Sequence, residues 1–172
     1  MDKNHWFIEV AKVISTQSHC LSWKAGCIIV KDKQIISTGY NGPPTGYPHC
    51  EWRNDKGVLF GGHQPGEWSD IKSSIICPRK RMGFKSGEGL EFCPASHAEA
   101  NAIVQAAKMG ININDASMYC AFSMIPCREC SKLIVNAGIK EVYLIGIPID
   151  YPQQGIRGRE ILKGIVEIRG LV

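Results

Sequence analysis

The sequence predicts an α/β fold, a sandwich in which helices cover a five-stranded sheet whose strands are partly parallel. Three observations lead to this fold class. The chain has 172 residues and is 44% hydrophobic, which is enough for one compact domain with its own core. Two β-rich runs near the N-terminus predict a hairpin. From residue 97 onward, helical and β-rich segments alternate, which is typical of parallel strands joined by helices.

The first elements are a helix and a hairpin. Residues 4–18 place apolar side chains at helical spacing and predict an amphipathic helix. The runs AGCIIV at 25–30 and QIISTGY at 34–40 are rich in β-formers, and the polar KDK between them predicts a turn. Residues 41–96 then hold nine of the 18 glycines and six of the nine prolines, without sustained periodicity. They predict a long insertion.

The second half of the chain alternates helices with strands. Gly110 and Gly138 mark the ends of its two longer helices. In chain order, the predicted elements are a helix over 97–109, a strand over 116–122, a helix over 127–137, a strand over 141–147, a short helix near 156–163 and a strand over 165–170. This order predicts parallel pairing among the later strands.

Composition and charge exclude several classes of function. The formal net charge is +4 and the pI about 8.6, which is too weakly basic to argue for nucleic-acid binding but suits an anionic small molecule. The start MDKNHWFIEV lacks the basic region and apolar run of a signal peptide, and no stretch approaches the roughly 18 apolar residues of a membrane span. We therefore expect a cytoplasmic protein with neither a membrane nor a nucleic acid as its partner.

The eight cysteines become informative in a reducing compartment, where metal ligands, reactive thiols and small core residues are commoner than disulfides. PCREC at 126–130 places two thiols at metal-binding spacing where a strand passes into a helix. Alone, this motif also fits a thioredoxin-like redox pair. The other helix start distinguishes the two, because SHAEANAI at 96–103 brings His97 and Glu99. A redox dithiol needs neither residue, whereas a catalytic zinc uses three protein ligands and one open position.

His97 and Glu99 lie about 200° apart around a helix, so they cannot act from one face. If both helix N-termini face one point, their dipoles favour thiolates and a hydroxide there. His97, Cys127 and Cys130 are therefore candidate zinc ligands, and Glu99 is a candidate proton shuttle. The alternative is a core histidine, a solvated glutamate and a structural thiol pair.

His-x-Glu followed by Pro-Cys-x-x-Cys is the signature of zinc deaminases. GYNGPP at 39–44, CPRKRMGFKSGEGLEFCPASHAEANAI at 77–103 and IPCREC at 125–130 extend the similarity, and the chain resembles the deoxycytidylate deaminase family over nearly its whole length. The resemblance implies a cytidine deaminase-like three-layer α/β/α sandwich with a mixed five-stranded sheet. It implies a single deaminase domain over 1–172 with a Gly/Pro/Cys-rich insertion at about 41–96.

The resemblance also implies a reaction and its regulation. Members of the family convert dCMP to dUMP, which feeds thymidylate synthesis, and they are typically hexamers activated by dCTP and inhibited by dTTP. His97, Cys127 and Cys130 match the zinc ligands, and Glu99 matches the residue that carries protons from the zinc-activated water to N3 of cytosine and then to the departing amine. Asn41 matches an asparagine that contacts the nucleotide. The segment that matches the effector site is Gly39, Tyr40, Asn41 and Gly42.

Two other functions remain open. A tRNA adenosine deaminase or free cytidine deaminase shares the zinc signature, although the large insertion before the HAE helix argues against both. From a different class, a zinc-stapled nucleic-acid-binding module would use Arg79, Lys80 and Arg81 as a basic patch. Such a short run is more often a solvated loop.

Lys108 is a candidate ligand for the substrate phosphate. It follows His97 by eleven residues, which places it within about 20° of the same helix face and roughly 16 Å along the axis. Helical side chains lean toward the N-terminus, so its amine can approach a 5′-phosphate. Alternatively, Lys108 complements the helix dipole from the last turn.

The remaining cysteines predict a second, structural zinc. Cys27 and Cys120 lie in apolar β-rich runs and are expected to be small core residues. The other four fall outside the predicted elements, in sequence that is hard to order without a staple, and four thiolates can close a tetrahedral zinc site. These four are Cys20, Cys50, Cys77 and Cys93.

Part of this second site follows from the resemblance. Some deoxycytidylate deaminases that the chain resembles carry a second zinc on cysteines that match Cys20 and Cys50. Their other ligands are not cysteines, so the extension to Cys77 and Cys93 is an inference from the sequence alone. Two alternatives stay open: the thiols bind no metal, or a neighbouring histidine replaces one of them, either His19 or His49.

Overall fold

A computed structural model of the chain describes residues 2–47, 49–50, 76–85, 87–151 and 155–172. Its elements are α1 (Lys3–Ser15), β1 (Gly26–Lys31), β2 (Gln34–Tyr40), α2 (Pro78–Arg81), a 3₁₀ helix (Leu90–Phe92), α3 (Ala98–Lys108), β3 (Ser117–Cys120), α4 (Arg128–Asn136), β4 (Glu141–Ile145), α5 (Gly158–Leu162) and β5 (Glu167–Leu171). Every helix and strand predicted from the sequence is present, with ends that differ by up to three residues. None of the described helices is long and apolar enough to cross a membrane.

The five strands form one mixed sheet in the order β2-β1-β3-β4-β5. β1 pairs antiparallel with both β2 and β3, whereas β3, β4 and β5 run parallel. The hairpin between β1 and β2 turns at Asp32 and Lys33, whose φ angles of 50° and 64° match the type I′ turn that suits twisted strands. Helix α1 packs on one face of the sheet and α3, α4 and α5 on the other. The predicted three-layer α/β/α sandwich is confirmed.

Each face of the sheet has its own hydrophobic cluster. Ile28 on β1 joins Phe7 of α1 on one face, while Ile29 joins Ala102 of α3 and Ile134 of α4 on the other. Successive side chains of a strand point to opposite faces, so a strand covered by helices on both sides is apolar throughout. This explains why AGCIIV shows no alternation of apolar and polar residues.

Helix α1 ends at Ser15, three residues before the predicted end. The hydroxyl of Ser15 donates to the Lys12 carbonyl over 2.6 Å, and the hydroxyl of Thr16 donates to the Val13 carbonyl over 2.7 Å. Side-chain hydroxyls that bond to backbone carbonyls compete with helix propagation. The next three residues, Thr16, Gln17 and Ser18, are polar, so the apolar spacing also ends here.

The predicted insertion contains regular structure that the sequence pattern did not indicate. Helix α2 starts with Pro78 at its first position, which suits the fixed φ of proline, and Cys77 caps it. Four residues are too few to produce an apolar repeat, so the sequence did not predict this helix, and Cys77 lies just outside it as its N-cap. The 3₁₀ helix follows Gly89, whose φ is 61°. Residues 51–75 of the predicted insertion lie outside the described residues.

The end of β2 is pressed against α3. A Cβ on Gly39 would lie 2.3 Å from the Ala102 nitrogen and 2.3 Å from the Ala98 oxygen, so glycine alone allows this backbone contact. The side-chain amide of Asn101 donates to the Tyr40 carbonyl over 2.7 Å. Strand β2 and helix α3 therefore hold a fixed relative position.

The predicted insertion begins and ends at one point. Gly42 and Ser96 form an isolated antiparallel bridge, with N···O distances of 3.2 and 2.9 Å. His97 follows directly. The bridge thus anchors the chain immediately before the residue that the sequence singles out as a metal ligand.

Candidate metal centre and active site

The three predicted zinc ligands meet where two helices begin. His97 caps α3, Cys127 caps α4 and Cys130 lies in the first turn of α4. The Nδ1 atom of His97 lies 3.4 Å from the Sγ of Cys127 and 3.5 Å from the Sγ of Cys130. Within the described residues, this is the only group of three or more His, Cys, Asp or Glu whose ligand atoms all lie within 4.8 Å of one another.

The donor set and its spacing fit a zinc ion. Zinc–sulfur bonds of about 2.3 Å and zinc–nitrogen bonds of about 2.0–2.1 Å at tetrahedral angles put nitrogen and sulfur ligands roughly 3.5 Å apart. The observed separations of 3.4 and 3.5 Å agree with that geometry. Three protein ligands leave one coordination position open, which is the arrangement of a catalytic zinc site.

The surroundings of the two thiols favour metal binding. Hydrogen bonds from the Cys130 thiol and the His97 ring lower the pKa of Cys127 to about 4. The hydrogen bond to Cys127 raises the pKa of His97 to about 9. The Cys130 thiol donates a hydrogen bond to the Cys127 sulfur, and this bond raises the pKa of Cys130. Backbone N–H groups of the two helix starts, those of Cys130 and Ala100, donate to the sulfurs of Cys127 and Cys130 respectively. Helix starts are natural sites for such negative charge.

Glu99 lies beside these ligands and is almost completely buried, with 4% of its surface exposed. Burial raises the pKa of Glu99, and the positive charge of His97 opposes this rise. Its carboxyl group is hydrogen-bonded to the Cys130 side chain. A carboxyl group with a raised pKa next to an open metal position is suited to accept and donate protons near neutral pH.

A cavity of about 400 Å³ opens onto His97, Cys127 and Cys130, within the range of small-molecule sites. Leu90 belongs to its wall, so the predicted insertion contributes to the site. Besides the ligands and Ala100, the lining residues are Leu90, Ser96, Arg128, Glu129, Leu133 and Tyr151.

The lining residues Tyr151 and Arg128 were not identified as site residues from the sequence. The Tyr151 ring lies 5.9 Å from the His97 ring, centroid to centroid, and burial raises the pKa of its hydroxyl. Nothing local in the sequence marks Tyr151, because it reaches the site only through the fold. Arg128 could have been found, since it stands inside PCREC between the two cysteine ligands.

Asn41 organises the loop before β1. Its side-chain oxygen accepts a hydrogen bond from the Ala25 nitrogen over 2.8 Å, and its side-chain nitrogen donates to the Trp23 carbonyl over 2.8 Å. Its backbone carbonyl accepts from the Ser18 hydroxyl. The substrate contact implied by the family resemblance stays a prediction.

Lys108 is the last residue of α3 and is exposed. It is not among the described residues that line the cavity at His97. Its place in the last turn agrees with the alternative that it complements the helix dipole. The effector role of residues 39–42, which contact the start of α3, stays a prediction.

The four cysteines of the predicted second zinc are not gathered into one metal group. Among the described residues, they do not form a set of three whose ligand atoms lie within 4.8 Å. The Cys20 sulfur accepts a hydrogen bond from the Trp23 nitrogen, and the rings of His19 and His49 lie 4.5 Å apart. The buried members of the four are Cys50 and Cys77, and the half-buried members are Cys20 and Cys93. This second site stays a prediction.

Comparisons with known proteins agree with the geometry. The family model of the cytidine and deoxycytidylate deaminase zinc-binding region matches residues 1–145. The deoxycytidylate deaminase of Enterobacteria phage T2 is 34% identical over 146 residues, which cover 78% of this chain and 75% of that protein. The crystal structure of the cyanophage S-TIM5 dCMP deaminase with dCMP and dUMP superposes with a TM-score of 0.64 and 25% identity, over 97% of this chain and 95% of that chain. A tRNA:A34 deaminase structure shares the fold alone, with a TM-score of 0.53 and 16% identity over 98% of this chain and 99% of that chain.

Proposed function

The chain belongs to the cytidine and deoxycytidylate deaminase family, and we propose that it catalyses the zinc-dependent hydrolytic deamination of dCMP to dUMP. One observation carries the proposal: His97, Cys127 and Cys130 converge with zinc spacing at a cavity, and buried Glu99 lies beside them. The name of the phage T2 relative and the nucleotides bound to the cyanophage enzyme support dCMP as the substrate.

In the proposed mechanism, Glu99 carries the protons. A zinc ion would be held by His97, Cys127 and Cys130 and, once bound, would lower the pKa of a water molecule so that it can lose a proton near neutral pH. Glu99 accepts a proton from the attacking water and delivers it to N3 of cytosine, which makes C4 electrophilic. It then takes the second proton of that water, from the hydroxyl group formed on C4, and transfers it to the 4-amino group, which leaves as ammonia while C4 becomes a carbonyl. Burial supports this role, because it raises the pKa of Glu99, as suits a carboxyl group that both accepts and donates a proton.

The rival functions have weaker support. Likeness to the tRNA deaminase extends to the fold alone, at 16% identity. For a nucleic-acid-binding module, Arg79 would belong to a basic patch, yet its guanidinium donates to the Glu88 carbonyl within the chain. A structural zinc staple would also have no need of a buried glutamate beside an open coordination position.

The test is a panel of substrates offered to the purified, zinc-loaded protein. We expect ammonia release from dCMP with dUMP as the product, and much slower turnover of CMP, dCTP and an adenosine-containing tRNA anticodon stem. Faster reaction of the anticodon stem would contradict the proposal, and so would an inactive protein that retains DNA binding.

We further propose regulation by dCTP as activator and dTTP as inhibitor at Gly39, Tyr40, Asn41 and Gly42. The contacts of this segment support the idea, because it touches α3 at Gly39 and Tyr40 and bridges to Ser96 next to His97. A nucleotide bound there would therefore act on the start of α3. Saturation curves for dCMP should shift to lower concentration with dCTP and to higher concentration with dTTP. Identical curves in all three conditions would contradict the regulatory proposal.

The second zinc also belongs to the proposal, with Cys20, Cys50, Cys77 and Cys93 as its predicted ligands. Burial of Cys50 and Cys77 supports a structural role for these thiols. Metal analysis should find two zinc ions per chain, and one in Cys77→Ser, which should also unfold at lower temperature. A single zinc in the unmodified protein would exclude the second site.

Three further features complete the proposal. Residues 1–172 act as one deaminase domain with the insertion at about 41–96, which is supported by one sheet with helices on both faces. A homo-hexamer rests on the family resemblance, and light scattering should give six times the chain mass of 19.0 kDa. A cytoplasmic location is supported by the chain's cysteine chemistry, because a reducing compartment preserves thiols.

A further inference from the structure

We propose that Arg128 binds the 5′-phosphate of the substrate and so selects nucleoside monophosphates over nucleosides. The inference rests on the proposed deamination of dCMP and names the residue that recognises the phosphate. The position of Arg128, its charge and its fixed orientation support this role.

Position is the first argument. Arg128 is the first residue of α4, so its Cα lies about 3.8 Å from that of the zinc ligand Cys127. The reacting C4 of cytosine must lie next to the water at the open coordination position, and the sugar and phosphate extend away from it toward solvent. The side chain of Arg128 lines the cavity and is 46% exposed, as expected for a group at the mouth of a site rather than at its base.

Charge is the second argument. Among the described residues that line the cavity, Arg128 alone carries a permanent positive charge. Its Nε lies 3.0 Å from an oxygen of Glu129, and the Lys132 amine lies 3.0 Å from both oxygens of the same carboxylate. One carboxylate is thus shared by two cations, Arg128 and Lys132. Among the described lining residues, Arg128 is therefore the cationic side chain that a phosphate in the cavity would meet.

Orientation is the third argument. The hydrogen bond from Nε to Glu129 helps to fix the plane of the guanidinium group. A Cβ built on Gly155 would lie 3.7 Å from Nη1 of Arg128, so the chain at Gly155 packs directly against the guanidinium. An arginine held in this way can present two parallel N–H donors to a phosphate, which a lysine cannot do.

Lys108, which the sequence suggested for the phosphate, is less suited to this role. It ends α3, whereas the zinc ligand His97 precedes the first residue of that helix. It is exposed and does not belong to the described lining of the cavity. Arg128, in contrast, directly follows the predicted ligand Cys127, and its side chain lines the cavity.

The experiment compares a nucleotide with the matching nucleoside. Zinc-loaded wild type, Arg128→Gln and the control Lys140→Gln are assayed with dCMP and with deoxycytidine, and their dissociation constants for dUMP and deoxyuridine are measured. Lys140→Gln changes the net charge equally at an exposed residue just before β4. We expect Arg128→Gln to raise KM for dCMP and the dissociation constant of dUMP about 10- to 100-fold. Values for the nucleosides and the zinc content should change less than twofold, as should all values of the control.

The outcomes separate this inference from the proposed function. If the wild type does not turn over dCMP, the proposed function is wrong. The dissociation constants of dUMP and deoxyuridine then still test the role of Arg128. If the wild type deaminates dCMP but Arg128→Gln leaves KM for dCMP and the dissociation constant of dUMP unchanged, only the inference about Arg128 is wrong. Equal losses for nucleotide and nucleoside would also overturn it, because they would mean that Arg128 supports the site as a whole.

Discussion

Two pairs of buried cysteines lie in the same sandwich and differ in nearly everything except burial. Cys127 and Cys130 stand at the start of α4, within hydrogen-bonding distance of His97. Cys27 and Cys120 lie in the sheet, with their sulfurs 3.2 Å apart and no exposed surface. Both pairs bring two thiols together, yet the first pair matches a metal site and the second matches a packed core.

The difference comes from what surrounds the sulfurs. Cys27 and Cys120 face each other across the antiparallel strands β1 and β3, where the backbone N–H groups are committed to the sheet. Burial raises the pKa of both thiols. Cys127 instead receives hydrogen bonds from a thiol, an imidazole ring and a helix N–H, and its pKa falls to about 4. Burial alone therefore makes a thiol inert, and a helix start next to a histidine makes it a candidate metal ligand.

The difference between the two cysteine pairs is tested most severely by substituting one residue at the candidate metal site and one cysteine of the pair in the sheet. His97→Ala should lose the zinc and all measurable dCMP turnover, because two thiols alone leave the site with too few ligands. The matched variant Cys120→Ala, which deletes a thiol in the sheet, should keep one full equivalent of zinc at the catalytic site. Zinc content by mass spectrometry and the rate of dUMP formation check both. Zinc retained by His97→Ala would break the distinction.

Glu99→Gln separates metal binding from proton transfer at the same centre. We expect normal zinc content and a kcat reduced by about 10²- to 10⁴-fold, the range for a lost general acid–base. Gln is nearly isosteric with Glu, so thermal stability should change little. A kcat close to that of the wild type would show that protons move by another route.

Alkylation of the zinc-stripped protein compares the two pairs directly. Iodoacetamide reacts with thiolates, so Cys127 should be modified at pH 7 at least roughly tenfold faster than Cys27 and Cys120. Peptide mapping by mass spectrometry gives the rate at each site. Zinc should protect Cys127, and equal rates at the three positions would contradict the assigned environments.

The smallest effect is expected from Cys27→Ala. The change leaves a small cavity beside Cys120 and should lower the free energy of unfolding by about 1–2 kcal/mol. Because Cys27 takes no part in the proposed chemistry, kcat and KM for dCMP should remain within about twofold of the wild type. Urea unfolding and steady-state kinetics measure the two quantities, and a large loss of kcat would connect the sheet thiols to catalysis.

What the sequence predicted well depends on short-range patterns. The elements from α3 to β5 follow from apolar periodicity and from the glycines that end helices, as at Gly110 and Gly138. The three predicted zinc ligands come from two local motifs, because His97, Cys127 and Cys130 each stand at a helix start that the sequence marks. From the sequence, the convergence of those helix starts was only an assumption, and in the structure they do converge.

What could not be predicted depends on long-range packing or on very short elements. Tyr151 reaches His97 through the fold, without any nearby motif. Helix α2 has four residues, fewer than an apolar repeat needs. Lys108 is not among the described residues that line the cavity, which could not be predicted because helical geometry gives the face of a residue but not what covers that face.

The bridge between Gly42 and Ser96 has a consequence for how this fold can change in evolution. It closes the chain excursion over residues 43–95 at its two ends, immediately before His97. The entropy of closing a flexible loop grows only with the logarithm of its length, by about 0.6 kcal/mol for each doubling. For loop closure alone, a change in the length of this connection therefore alters the free energy of folding little while its ends stay joined. The bridge thus lets the length of the connection vary without moving His97 or the end of β2.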